Sequence, residues 1–218
     1  MIGRTPSAVA MKLSNFASLD PSITGSGRKG LEGASQLDRE IWNEFQSDWE
    51  SLALESAKLK FEMTHQKDSS PADEEFVEED FTGETRQAVV ERRVKQDFFR
   101  RAVLSSYRER CCMSGLSVSS LLVASHIVPW SQDKKNRLNP RNGLCLSAIH
   151  DRAFDKGLIT LTDDFRVVVT KSLRQAENDF TRTTFSQLHD KKIETPERFL
   201  PDLAFIRKHR EEVFQGDV

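Results

Sequence analysis

The chain has 218 residues, of which 37% are hydrophobic and 30% are charged, a length that suits one domain with appendages or two small domains. No apolar run approaches the ~18 residues needed to cross a bilayer, and the N-terminus lacks the apolar stretch of a secretory signal. Three cysteines, Cys111, Cys112 and Cys145, cannot form a disulfide framework and suit a reducing compartment. Composition therefore excludes a membrane protein, a secreted mini-protein and a fully disordered chain, and it favours the cytoplasm.

The net charge of −2 hides two segments of opposite sign. Six of the eight residues from Asp73 to Asp80 are acidic, whereas positions 86–110 hold eight Lys or Arg residues against three acids. A basic stripe attracts a polyanion within roughly a Debye length of ~8–10 Å. The same run could equally be the solvated face of a helix, so charge alone leaves both interpretations open.

Residues 1–64 are predicted to form a helical N-terminal region. Thr5 and Pro6 suit the cap and the first position of a short helix, similar to the second half of a helix-turn-helix. A long amphipathic helix is predicted from about Ser35, which suits its N-cap, to about Met63. Its apolar face is formed by Leu37, Ile41, Trp42, Phe45, Trp49 and Leu52. A face this apolar usually marks a contact surface, and we expect a homodimer held by these helices.

Residues 65–85 are polar and acidic and are predicted to be a linker. The following segment, 86–171, combines helical and strand patterns and is predicted to be an α+β domain. Its elements are a long helix at 86–110, a strand at 121–128, a short helix at 142–154 and a hairpin at 158–170. Residues 172–218 are predicted to be a helical tail that closes with a helix at about 203–214.

Three strings inside the α+β domain carry groups suited to chemistry. They read Ala124-Ser-His-Ile-Val-Pro-Trp130, Asn139-Pro-Arg-Asn-Gly-Leu-Cys-Leu146 and His150-Asp-Arg-Ala-Phe-Asp155. In order and spacing, His126, Asn142 and His150 resemble the HNH endonuclease family, specifically the Ser-His-Ile-x-Pro-Trp and Asn-Gly-Leu-Cys-Leu branch found in restriction and phage-defence proteins. The upstream strings Gln96-x-x-Phe99-Arg100 and Tyr107-x-x-x-Cys111-Cys112-x-Ser114-Gly115 are also similar to this branch.

The resemblance implies a ββα-metal fold and phosphodiester hydrolysis. It makes His126 the general base, since an imidazole with a pKa near 6.5 accepts a proton at neutral pH. Asn142 would orient the His126 ring or brace the loop, and His150 would bind the metal from a position facing the His126 strand. Asp151 or Asp155 would add a carboxylate oxygen, and Asp151 is nearer to the family's last motif position.

The cofactor implied is one divalent ion, with Mg²⁺ favoured by the hard carboxylate ligand and Mn²⁺ as an alternative. Two departures from the family pattern bear on it. Ser125 stands where many members have a metal-binding Asp or His before the base. Only one incomplete Cys-x-x-Cys pair is present, so no structural zinc is expected.

Basic residues near these motifs are candidate contacts to the phosphates of double-stranded DNA, and such contacts give affinity without sequence choice. They are Arg92, Arg93, Arg100, Arg101 and Arg141.

Together these features predict a metal-dependent DNA endonuclease of restriction or anti-phage type. The main alternative is a catalytically silent DNA-binding or regulatory module that keeps the HNH fold. An RNA-directed or structure-specific nuclease is a third possibility, since nothing in the sequence distinguishes the sugar.

Overall fold

The computed structural model describes residues 3–25, 27, 30–31, 33–65 and 83–216. The chain divides into two compact units, Met1–Lys95 and Gln96–Val218. Most of the acidic linker predicted at 65–85 lies outside the described residues. No helix in the described ranges is both long and apolar enough to span a bilayer.

The first unit is helical. Its elements are α1 (Pro6–Leu19), α2 (Pro21–Thr24), α3 (Gln36–Phe45), α4 (Trp49–His65) and the N-terminal part of α5 (Gly83–Ser106). The predicted caps are present: Thr5 accepts a hydrogen bond from the Ala8 amide, and Ser35 forms a reciprocal capping box with Asp38. The Nζ of Lys12 lies 2.8 Å from Oδ1 of Asp38, which ties α1 to α3.

The single long helix predicted from Ser35 to Met63 is wrong, because the chain breaks between α3 and α4. Asp48 causes the restart: its Oδ1 accepts a hydrogen bond from the Ser51 amide at 3.0 Å, as an N-cap does. Leu37 and Ile41 on α3 are exposed, at 60% and 38%, whereas Ala53 on α4 is buried.

The second unit mixes helices with two small sheets, which confirms the predicted α+β class. It begins in α5 and continues through β1 (Leu122–His126), β2 (Gly143–Ser147), α6 (Ala148–Asp155), β3 (Ile159–Leu161), β4 (Val167–Val169), α7 (Lys171–Arg174), α8 (Asp179–Thr184) and α9 (Leu203–Glu212). Strands β1 and β2 pair antiparallel, as do β3 and β4, so the predicted hairpin is present.

The helix predicted at 142–154 is wrong in its first half, which forms strand β2. Leu144, Cys145 and Leu146 are all fully buried, and a short continuous apolar run fits a buried strand as well as a helix. Helix α6 begins only at Ala148, where the Ser147 side chain caps it.

The C-terminal tail completes the core around α6 and β3. On α9, His209 stacks flat on Phe154 with ring centroids 3.7 Å apart. Its Nε2 donates to the Phe154 carbonyl at 3.1 Å, which leaves Nδ1 to accept from the Thr160 hydroxyl at 2.9 Å. Arg207 and Arg210 on the same helix both form ion pairs with Asp163. The tail is thus an integral part of the second unit.

Candidate functional site

The strand predicted at 121–128 ends at His126, which lies opposite Gly143 of β2. Its Nε2 lies 2.9 Å from the Arg137 carbonyl oxygen. A carbonyl can only accept, so Nε2 carries the proton and Nδ1 of the neutral ring has an available lone pair. Among the described residues, Nδ1 has no hydrogen-bond partner.

The surroundings of His126 keep this ring neutral. Burial lowers its pKa, while the Arg137 hydrogen bond and the negative charge of Asp151 act in the opposite direction, and the net effect is a pKa below the ordinary value. A neutral imidazole with one open nitrogen can accept a proton from water at neutral pH.

Two aromatic rings enclose the imidazole. Phe99 of α5 is stacked on it, with centroids 3.8 Å apart and planes inclined by 10°. Trp130 meets it edge-on at 5.6 Å. The guanidinium carbon of Arg137 lies 5.3 Å from the Trp130 ring centroid, and its Nε donates to the Trp130 carbonyl.

Asn142 lies in a 3₁₀ turn just before β2 and is 1% exposed. Its Oδ1 accepts from the Val128 amide at 2.8 Å, and its Nδ2 donates to the carbonyls of Val128 and Asn136 at 3.0 and 3.3 Å. These bonds brace the loop between β1 and β2. They act on the His126 ring indirectly, since that loop also carries the Arg137 carbonyl.

The loop has further internal support from polar side chains that the sequence analysis did not identify. Asp133 accepts from the backbone amides of Lys135 and Asn136 and from the Asn136 side chain. The Asn139 amide nitrogen donates to the Asn136 side-chain oxygen at 3.0 Å. The cluster of Asp and Asn residues at positions 133–142 was the available signal, because such residues satisfy backbone groups in loops.

The metal-binding role expected for His150 is not favoured by its contacts, because both of its ring nitrogens are engaged by other groups. Its Nε2 donates to the Thr184 carbonyl at 3.0 Å, and its Nδ1 lies 2.8 Å from the Ser147 hydroxyl and 3.6 Å from the Cys111 sulfur. Its ring also meets Phe185 edge-on. With 3% of the residue exposed and both nitrogens engaged, His150 connects α6 to the segments around Cys111 and Thr184.

The Cys111 thiol and His150 influence each other's protonation. Burial raises the pKa of Cys111, but the His150 hydrogen bond and those around Ser114 outweigh it and bring that pKa to about 6. Burial lowers the pKa of His150, and the bonds from Cys111 and Thr184 raise it above the usual value. Cys111 and His150 thus form a polar contact within the core.

The α6 side chain that acts electrostatically on His126 is a carboxylate. Asp151 acts on the His126 ring, and it also raises the pKa of Asp155, one helical turn away, after the larger effect of burial. Arg152 and Lys156 partly offset this increase. Two carboxylates that repel each other form a site that a cation would stabilise.

The ligands available to a divalent metal ion are limited in this region. Among the described residues, no group of three or more His, Cys, Asp or Glu side chains is gathered for a metal ion. The Asp151 and Asp155 pair nevertheless fits Mg²⁺ or Mn²⁺, because Mg²⁺ is commonly bound by one or two carboxylates and keeps several waters. Ser125 is 2% exposed and precedes His126 on the strand, where alternate side chains point to opposite faces.

The basic candidates differ in their surroundings. Arg100 donates to the carbonyls of Leu122 and Ser119 at 2.8 and 3.2 Å and so holds α5 against the start of β1. Arg101 is exposed and pairs with Asp97 on the same helix. Arg92 and Arg93 are exposed on the part of α5 that belongs to the first unit, and Arg141 is half-buried beside Asn142.

Comparison with known proteins gives a family match and a similar solved structure. The model of a family described as HNH endonuclease matches residues 111–162, the segment that contains β1, β2 and α6. A solved structure, "Modification dependent TagI restriction endonuclease", is similar with 21% identity and a TM-score of 0.39, over 53% of this chain and 37% of that chain. The chain thus spans little more than a third of that protein. No curated protein matches the sequence.

Proposed function

Because the chain carries an HNH endonuclease domain at residues 111–162, we propose that it hydrolyses phosphodiester bonds in DNA with the help of a divalent metal ion. The observation that carries the proposal is the state of His126. Its Nε2 is committed to the Arg137 carbonyl at 2.9 Å, so its open Nδ1 is the proton acceptor.

His126 is the general base in this proposal. Its Nδ1 takes a proton from the attacking water, and the Nε2 bond to Arg137 holds the ring in the tautomer that can do so. Asn142 supports the base through the loop that carries the Arg137 carbonyl.

Asp151 and Asp155 would hold the metal ion, with Mg²⁺ favoured and Mn²⁺ as an alternative. When bound there, the ion would neutralise negative charge on the phosphate and on the leaving oxygen. His150 is left out of this ligand set, because Ser147, Cys111 and Thr184 already engage its ring nitrogens. Its role is to anchor the helix that carries both carboxylates.

The substrate proposed is double-stranded DNA, cut in restriction or anti-phage defence in the cytoplasm. Arg92, Arg93, Arg101 and Arg141 are the proposed phosphate contacts. Arg100 is a weaker candidate, because its guanidinium already binds two backbone carbonyls.

A homodimer through the first unit belongs to the same proposal. Large apolar side chains there are exposed, among them Leu37 at 60% and Leu13 at 54%, and two copies would bring two cutting centres to one duplex. Light scattering of the full chain at micromolar concentration tests this. The proposal predicts a dimer that Leu37→Glu dissociates and that Phe180→Glu, at an exposed control position on α8, leaves intact. A monomeric wild type contradicts the proposed dimer.

The experiment for the activity is incubation of the full chain with supercoiled plasmid in Mg²⁺, Mn²⁺ or EDTA. Nicking or linearisation with a divalent ion, and none with EDTA, is the expected result. Binding of DNA without cleavage under every metal condition would instead favour the silent DNA-binding module.

A further inference from the structure

The ring of Phe99 lies flat against the His126 imidazole. The two rings are nearly parallel, with centroids 3.8 Å apart, and Phe99 is 2% exposed. The Trp130 ring lies nearly perpendicular to the imidazole, with centroids 5.6 Å apart, and the Arg137 carbonyl binds Nε2. The imidazole is therefore held by two aromatic rings and one hydrogen bond.

We propose that Phe99 is a positioning residue for the base: its ring fixes the plane of the His126 imidazole so that the Nδ1 lone pair points towards the attacking water. This inference rests on the proposed role of His126 and adds a residue that does not itself touch the reacting atoms.

The hydrogen bond to Arg137 is not sufficient for this task. It fixes one atom of the ring, and the second side-chain torsion of histidine is broad, so the ring could tilt about that bond. A flat aromatic face 3.8 Å away removes the tilt. It also favours the imidazolium that forms on proton transfer, because a cation over an aromatic face is attracted by the ring quadrupole.

The chain is built to allow this close approach. Gly143 lies opposite His126 in the strand pair, and a Cβ at that position would come within 3.0 Å of Cζ of Phe99 and 2.4 Å of Cγ2 of Val103. A side chain there would displace the Val103 and Phe99 side chains from their present positions. Arg100, the next residue after Phe99, holds the helix in place by its bonds to Leu122 and Ser119.

The test compares Phe99→Leu with Val103→Ala in the full chain. Both residues are buried on α5 one turn apart, but only Phe99 stacks on the imidazole. Phe99→Leu is expected to lower kcat for plasmid cleavage by roughly 10- to 100-fold, the scale of a small misplacement of a reacting group, with KM unchanged. Val103→Ala is expected to leave both constants near the wild-type values. Phe99→Met, which packs adaptably, replaces Phe99→Leu if that variant does not fold.

A second readout does not depend on cleavage. In the NMR spectrum, the ring protons of His126 are expected to lie upfield in the wild type and in Val103→Ala, because they sit over the Phe99 face, and to lose that shift in Phe99→Leu. An unchanged shift, a wild-type kcat in Phe99→Leu or an equal loss in Val103→Ala overturns the inference. A wild type that cuts no DNA, or a His126→Ala variant as active as wild type, overturns the proposed function instead.

Discussion

Asn142 forms hydrogen bonds with both backbone groups of Val128: its Oδ1 accepts from the amide at 2.8 Å, and its Nδ2 donates to the carbonyl at 3.0 Å. The side chain therefore closes the loop between β1 and β2 as a backbone pair would. Because this loop supplies the Arg137 carbonyl that orients His126, its closure and the geometry of the base are linked.

Replacing Asn142 should cost both stability and activity. Asn142→Ala leaves the buried backbone groups of Val128 without partners, which is expected to lower the free energy of unfolding of the second unit by roughly 1–3 kcal/mol. Cleavage should fall as well, since Arg137 is no longer fixed. Urea denaturation measures the free energy of unfolding. Asn139→Ala is the control, and a smaller loss of stability is expected there because Asn139 is half-exposed. Equal stability of Asn142→Ala and wild type would contradict this interpretation.

His209 should make the second unit sensitive to acid. Burial lowers its pKa to about 4, so between pH 6.5 and 4 the unfolded chain binds a proton that the folded chain does not. The stability contributed by neutral His209 is present above pH 6.5 and is lost as the pH falls towards 4, a loss on the order of 2–4 kcal/mol. Thermal unfolding of wild type and His209→Gln across this range measures it. If both proteins lose stability equally with falling pH, His209 is not the cause.

Substitutions of the two α6 carboxylates and substitution of His150 should have opposite effects on metal binding and on stability. Asp151→Asn and Asp155→Asn are expected to weaken Mn²⁺ binding with little loss of stability, because each removes a ligand and relieves the repulsion between the pair. His150→Gln is expected to do the reverse, since it disrupts bonds with Ser147, Cys111 and Thr184. Calorimetric titration with Mn²⁺ and thermal unfolding of all three variants provide the comparison. Loss of Mn²⁺ binding in a stable His150→Gln protein would return His150 to the ligand set.

Arg100 and Arg101 are neighbours in sequence with different expected roles. Arg101→Gln should weaken DNA binding and reduce the slope of log affinity against log salt by about one, as expected for one phosphate contact. Its exposed ion pair with Asp97 contributes little to stability. Arg100→Gln should instead lower the unfolding temperature, because Leu122 and Ser119 lose their donor. Fluorescence anisotropy at several salt concentrations measures the DNA affinity of Arg101→Gln. An unchanged salt slope in this variant would exclude a phosphate contact by Arg101.

Local signals in the sequence predicted a large part of the fold. Thr5 and Ser35 were recognised as caps because an N-cap depends on residues within one turn. The strand that ends at His126 followed from its β-branched and apolar pattern. The start of α6 was misplaced because Gly143–Ser147 is buried on both faces and shows no alternation.

The surroundings of His150 depend on tertiary contacts that its local sequence does not show. With the helix starting at Ala148, His150 lies against Cys111 and Thr184, whereas Asp151 acts electrostatically on His126. The stacking of Phe99 on His126 joins α5 to β1, and no short-range pattern predicts such a contact. The motif identified the residues, and tertiary packing decides which of them lie near the base.

The central claim is that His126 activates water, and cleavage of supercoiled plasmid by His126→Ala tests it most directly. The variant removes the Nδ1 acceptor and leaves the Asn142 bonds to the loop unchanged. With Mg²⁺ or Mn²⁺ present, the nicking rate is expected to fall by about 10²–10⁴-fold or more, while DNA affinity and the unfolding temperature stay near those of wild type. Wild-type nicking by a folded His126→Ala protein would contradict the account.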